Sequence, residues 1–245
     1  MFPIRDHNPS GRTPYVTYAL IILNVVIFAS TWHLSASPRE LLQFYADYAL
    51  VPLFLSEGDG FTGLVTSMFL HGGLAHLAGN MLFLFIFGDN LEDEMGHIGF
   101  LAFYLAAGIA AGLIHYLSAP YSNVPTVGAS GAIAGIMGGY LLLYPKARID
   151  ILLILIIFFK VFPVPAWIML ALWFGMQLIG GIGSDPTTGG VAYWAHAGGF
   201  VAGLILTVPT FLRLGGTKIW RVHHGHPPHP DAQYSFSRVP RIKRK

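Results

Sequence analysis

Apolar residues run along this chain in long blocks, near 15–32, 64–87, 98–117, 127–144, 164–182 and 191–212, with most polar and charged residues gathered between them. A helix needs about 20 mostly apolar residues to cross roughly 30 Å of hydrocarbon, so the pattern predicts six membrane spans. A further apolar stretch, Ile151–Phe162, would cover only about 18 Å as a helix at ~1.5 Å per residue. Lys160 interrupts it, and Pro163 and Pro165 follow at once. It is read as an interfacial or re-entrant segment rather than a seventh span.

Charge supports six. With an even count both termini share a side, and thirteen of the fourteen Lys and Arg residues then fall on that side, with Arg39 alone opposite. The positive-inside bias makes it the cytoplasmic side, as in a prokaryotic cell membrane, whereas a seventh span would carry the basic tail outside. The domain reading is a cytoplasmic segment 1–14, a membrane domain 15–213 and a basic, disordered cytoplasmic tail 214–245. The run His-His-Gly-His-Pro-Pro-His at 223–229 belongs to that tail and is read as disorder rather than a metal site. Residues 34–63 form the longest outside loop, in which Leu41–Leu55 mixes apolar and polar positions as a helix lying in the interface would.

Composition agrees with a polytopic, all-α membrane protein: 54% of residues are hydrophobic, 11% are charged and 29 are glycine, and the mean hydropathy is +0.58. The chain has no cysteine, which excludes disulfides, zinc–thiolate sites and a cysteine nucleophile. A net charge of +2 that arises in the tail is no argument for nucleic acid.

Polar residues inside spans are costly and usually mark function. The second, fourth and sixth spans run in the same direction, and on them His76, Ser130 and His196 stand about 18, 21 and 24 Å from the inner boundary at ~1.5 Å per residue. Asn80 shares a helix face with His76 at i+4. Ser130 occupies a helix start, preceded by Pro125 and Gly128, where free N–H groups can face an anion. A serine and a histidine at one depth suggest a nucleophile and its base. The pairs Gly131/Gly135 and Gly199/Gly203 are G-x-x-x-G notches that let helices approach closely in lipid. No acid falls inside a predicted span; Asp185, in the outer loop before the sixth, is the one candidate orienter of His196, and a Ser–His dyad is the minimal reading. His97 and His115 lie at span ends and His33 and His71 near the outer interface, where packing roles suffice.

At these residues the chain resembles the rhomboid family of intramembrane serine proteases. The motifs are Gly-Ala-Ser-Gly at 128–131, Ala-His-x-x-Gly-x-x-x-Gly at 195–203 and His-Gly-Gly-Leu-Ala-His-Leu-Ala-Gly-Asn at 71–80, with softer matches at Tyr48–Pro52 and Trp173-Phe174-x-x-Gln177. The resemblance implies a six-helix bundle around a water-filled cavity open to the outside. It implies Ser130 as nucleophile, His196 as general base and acid, and His76 and Asn80 with the Ser130 amide as oxyanion hole. Trp173, Phe174 and Gln177 would belong to a gating fifth helix. The implied substrates are transmembrane proteins, with the bilayer as setting and no metal or organic cofactor. Two departures stand out. The Trp-Arg pair of many members is absent near Thr62-Gly63, and Ala134 replaces an aromatic that often supports the catalytic histidine.

The reading is therefore an intramembrane serine endopeptidase that cuts membrane proteins near the outer face. An inactive rhomboid-like protein that retains membrane clients is disfavoured by the intact serine, histidine and oxyanion groups. A small-solute transporter, with broken helices around a midplane site, is disfavoured by the lack of an internal repeat or buried carboxylate.

Overall fold

The segment Ser130–Leu143 is apolar on every side, and a helix without a polar face belongs among other helices. In the computed structural model, which describes residues 2–222 apart from 9, 156, 157 and 186, it occupies the centre of a helical bundle. In chain order the elements are β1 (Phe2–Asp6), α1 (Tyr15–Thr31), α2 (Pro38–Tyr48), α3 (Pro52–Ser56), α4 (Gly63–Thr66), α5 (Leu74–Met95), α6 (His97–Ser118), α7 (Ser130–Leu143), β2 (Arg148–Leu155), β3 (Phe158–Pro165), α8 (Ala166–Gly183), α9 (Tyr193–Arg213) and α10 (Lys218–Val222). Among the described residues five helices, namely α1, α5, α6, α8 and α9, are long and apolar enough to cross a membrane. The sixth apolar helix, α7, has 14 residues, about 21 Å at ~1.5 Å per residue, and so falls short of a ~30 Å hydrocarbon layer.

Packing follows from side-chain size. Every residue of α7 from Ala132 to Tyr140 is buried, and the helix touches α5, α6, α8 and α9. Its closest neighbour is α9. A methyl group added at Gly199 would overlap the carbonyl oxygen of Gly131, one at Gly203 the backbone of Gly135, and one at Gly138 the backbone of Phe200. The two notches expected from the sequence therefore face each other, and Gly138 extends the contact by one turn. At the periphery α1 packs on α5 and leaves Ile22, Val25 and Val26 exposed, the placement expected for lipid-facing residues.

The second span differs from its expected limits. Residues 63–69 form α4 and a short 3-10 turn, and α5 starts only at Leu74 and continues to Met95, stopping at Gly96 with φ of 72°, a left-handed conformation that favours glycine. Asp89, Glu92, Asp93 and Glu94 thus lie on a spanning helix after all. Glu92, 1% exposed, has a structural use. Its carboxylate accepts the Val16 and Thr17 amides at 2.8 and 2.7 Å, the Thr17 hydroxyl at 2.7 Å, and a bond with His97 Nδ1 at 2.6 Å. Helix α1 has no side-chain cap of its own, and this carboxylate satisfies its orphan N–H groups where the helix dipole favours negative charge.

The stretch read as interfacial or re-entrant is a β-hairpin. β2 pairs with β3 from Arg148↔Pro165 to Leu155↔Phe158, and β1 joins antiparallel on the other side of β2, from Phe2↔Leu152 to Asp6↔Ile149. This small sheet, in the order β1-β2-β3, departs from the all-α expectation. Pro163 and Pro165 are tolerated because β3 is an edge strand with one row of N–H groups unpaired. Two further boundaries shift. Leu41–Leu55 is not one helix, because Leu50 exchanges backbone bonds with Thr126 at 3.1 and 2.8 Å and so breaks it between α2 and α3. Part of the segment after 214 packs on the bundle through α10: Ile219 is 2% exposed, and Trp220 Nε1 donates to the Leu142 carbonyl at 3.0 Å. The histidine-rich run at 223–229 lies outside the described residues. Since β1 pairs with the hairpin and α10 docks beside the end of α7, both described chain ends sit at the same end of the bundle.

Two outcomes are expected. Gly203→Ala should force α7 and α9 apart, costing about 1–3 kcal/mol as overpacked sites do and lowering thermal stability in detergent, whereas Gly183→Ala, with open space around it, should be neutral. At the sheet end, Asp6 accepts from Tyr140 Oη at 2.7 Å and Asn90 Nδ2 at 2.9 Å. Burial raises its carboxyl to about 7, the Tyr140 bond opposing and the Asp89 charge adding to the rise. The folded state therefore holds this proton more tightly than the unfolded chain, so stability falls as pH rises from about 4 to about 7. Thermal unfolding at pH 5 and pH 8 should show this loss, and Asp6→Asn, which retains an acceptor oxygen, should reduce it.

Candidate active site

The loop that delivers Ser130 is fixed at three points. Thr126 pairs with Leu50, Gly128 N donates to Ser67 O at 2.9 Å, and Thr126 Oγ1 is bonded to His115 Nε2 at 2.8 Å. Gly128 has φ of 134°, and a Cβ there would stand 2.7 Å from His76 Nε2 and 3.4 Å from Ser130 Oγ. A glycine is required on both counts. The chain then turns into α7 with Ser130 as its first residue, so the first-turn amides have no helical partner.

On α9, one turn before Gly199, His196 comes within reach of that serine: Nε2 lies 2.8 Å from Ser130 Oγ. The other ring nitrogen, Nδ1, lies 2.9 Å from Gln177 Oε1 on α8. Ser130, His196, His76 and Asn80 all line one cavity of about 880 Å³, together with Trp173 and the loop ahead of α9. Asn80 is 8% exposed, and its Nδ2 has no hydrogen-bond partner among the described residues. His76 stands one helical turn before it on α5 and is exposed. The four residues picked out at similar depth are thus brought to one chamber. A serine hydroxyl within hydrogen-bond reach of an imidazole, with an amide donor and free helix N–H groups around it, can attack a carbonyl and hold the resulting oxyanion.

Other histidines have local roles. His71 lies outside this cavity, in a smaller pocket beside it, with its ring edge-on to His76 at 5.1 Å. Burial, with His76 nearby, pulls it down to about 4, so it is neutral. His33 bonds to Ser30 O within its own turn. Asp185, the acid that sequence offered as an orienter of His196, instead accepts from the Thr187 amide and hydroxyl at 2.9 and 2.7 Å. That local turn holds it, and His196 meets an amide rather than a carboxylate.

The residues expected at the gate divide into two kinds. Phe174 stacks on Phe200 of α9 at 4.7 Å, and Trp173 lies 6.1 Å from Phe200 and 5.8 Å from His196, tilted by 33°. Both therefore pack α8 on α9. Gln177, grouped with them by sequence, faces the histidine. The signal that could have distinguished it was its spacing, since Gln177 stands four residues after Trp173 and so on the same helix face.

Comparison with known proteins gives one consistent picture. A family model for the rhomboid domain matches residues 59–213, a range that contains Ser130, His196, His76 and Asn80. The mitochondrial Rhomboid protein 1 of Saccharomyces cerevisiae is 30% identical over 199 residues, covering 78% of this chain and 51% of that protein. RHOMBOID-like protein 4 of Arabidopsis thaliana is 28% identical over 233 residues, with 82% and 53% covered. Rhomboid protease GluP of Bacillus subtilis is 34% identical over 128 residues, or 52% of this chain and 24% of that protein. The chain thus spans about half or less of the length of these relatives.

If the unpaired Asn80 amide serves an oxyanion, Asn80→Ala should slow acyl transfer at Ser130 by roughly tenfold to a thousandfold with little change in thermal unfolding. An unchanged rate with a lowered unfolding temperature would make Asn80 a packing residue. Steady-state kinetics and unfolding on one preparation decide between them.

Proposed function

The chain belongs to the rhomboid family, and we propose on that premise that it is a serine endopeptidase hydrolysing peptide bonds of transmembrane proteins. The observation that carries the proposal is the 2.8 Å bond between His196 Nε2 and Ser130 Oγ in a cavity that also holds the unpartnered Asn80 amide. His196 takes the proton of Ser130 as Oγ attacks the scissile carbonyl carbon, and the oxyanion receives hydrogen bonds from Asn80, His76 and the Ser130 amide. His196 then returns the proton to the leaving amine, and the acyl-serine ester remains. Water, deprotonated by the same imidazole, releases the new carboxylate and restores Ser130.

The end of the bundle with the sheet and the basic residues faces the cytoplasm, so the cavity opens to the opposite side and cleavage falls near the outer face. The substrate enters from lipid past α8, with Trp173 and Phe174 forming part of the closed packing. Helical backbone is fully paired in lipid and must unwind to reach a serine; the cavity provides that space. A protein that only retained clients would have no use for an unpaired buried amide beside a serine–histidine pair, which weighs against the inactive alternative.

Purified protein in liposomes is expected to cleave members of a panel of single-span substrates and to react at Ser130 with a fluorophosphonate. Ser130→Ala should abolish both, and His196→Ala should depress both. Labelling that persists in Ser130→Ala would move the nucleophile elsewhere, and cleavage that persists would end the serine-protease reading.

A further inference from the structure

An imidazole acts as a base toward serine only when Nε2 carries the lone pair, which requires the proton to sit on Nδ1 and something to accept it. In the structure that acceptor is Gln177 Oε1, at 2.9 Å. The amide is not free to rotate, because Gln177 Nε2 donates to Trp173 O on its own helix at 3.2 Å, which leaves the oxygen directed at the ring. Gln177 is 8% exposed, so water competes little for this bond. The Trp173 ring, 5.8 Å from that of His196, limits tilting on one side, while α7 carries only Ala134, fully buried, where the rhomboid resemblance leads one to expect an aromatic. Asp185 is held by Thr187.

We propose that Gln177 is the positioning residue of His196: its carbonyl oxygen selects the Nδ1–H tautomer and aims Nε2 at Ser130. This rests on the protease reading and deepens it. An amide offers the acceptor oxygen without a charge to desolvate, and a carboxylate at the same place would accept the same proton and pair with the imidazolium formed during the reaction. The arrangement also links chemistry to the lateral path. Gln177 rides on α8, the helix that must yield to admit a transmembrane segment, so outward motion of α8 removes the acceptor from His196. The base is then fully oriented only when α8 is seated again against α9.

The test compares Gln177→Met, which keeps length but has no acceptor oxygen, with Gln177→Glu, which keeps one. Each is assayed on an embedded substrate and on a soluble unfolded one, with the rate of fluorophosphonate labelling at Ser130 as a third measure. Gln177→Met should lower kcat on both substrates and the labelling rate by about tenfold to a hundredfold, part of the roughly hundred- to ten-thousandfold that a positioned base supplies, with KM changed less than about twofold. Gln177→Glu should stay within a few-fold of the parent. Faster cleavage of the embedded substrate alone in Gln177→Met would overturn the proposal in favour of a gate residue, and equal losses in both variants would overturn it by showing that the acceptor is irrelevant. Imidazole 15N spectra of the unmutated protein, with His196 identified by difference against His196→Ala, need no folded variant at position 177 and should show Nδ1 protonated; an Nε2–H tautomer would overturn the proposal. If Ser130→Ala cleaves like the parent, the protease reading fails on its own, and the tautomer still decides the role of Gln177.

Discussion

The backbone contact between α7 and α9 sets the position of everything at the site. Lipid tails are as apolar as the helices, so no hydrophobic force drives two spans together, and association depends on close packing and on hydrogen bonds. Individual atom contacts contribute only about 0.1–0.2 kcal/mol, so many are needed, and only glycine lets two backbones come close enough to make them. Gly131 and Gly135 meet Gly199 and Gly203 in register, with Ser130 just before one pair and His196 just before the other. The 2.8 Å bond between those residues is thus a consequence of the register of the notch. Sliding α9 along α7 by one residue, about 1.5 Å, would separate the hydroxyl from the imidazole.

Polar side chains at the two ends of the bundle meet different surroundings. At the sheet end, three carboxylates serve structure: Glu92 caps α1, Asp150 pairs with Arg5 and His7 at 2.7 Å each, and Asp6 ties β1 to α5 and α7. At the other end Asn80 Nδ2 has no partner among the described residues and lines the cavity. Leaving a buried donor unpaired costs about 1–3 kcal/mol. A site that must stabilise charge appearing only during reaction has a reason to carry that cost.

Legibility in the sequence followed the physics of each signal. The spans were readable because length and hydropathy alone decide them, and α1, α6, α8 and α9 lie within a residue or two of expectation. The start of α5 was not: residues 63–69 are apolar enough to continue a span, but the chain turns extended at Leu70 and Gly73, and α5 begins only after that break. Ile151–Phe162 shows the limit of periodicity, since a short continuous apolar run fits a strand and a buried helix alike. The partner that makes it a sheet, Phe2–Asp6, lies about 145 residues away in sequence. Ser130, His196, His76 and Asn80 were legible through depth and motif. Gln177 was visible as a residue but not as a partner of His196, because an uncharged amide carries no charge pattern that would mark it as an orienter.

The shortness of α7 connects these points. With 14 residues it spans about 21 Å, so when its Leu143 end meets one interface its Ser130 end stops roughly 9 Å short of the other face of a ~30 Å hydrocarbon layer. The surrounding helices are longer and continue past it, and the volume above the end of α7 becomes the cavity of about 880 Å³. A full-length central helix would fill that space and have its first-turn amides in headgroup water. Stopping it early instead leaves those amides below the surface, in a low-dielectric surround where a hydrogen bond to a developing oxyanion is strongest. On the proposed reading, hydrolysis inside a membrane follows from one helix ending a turn and a half too soon, with Gly128 making the sharp approach and the glycine notch holding the base where the helix begins.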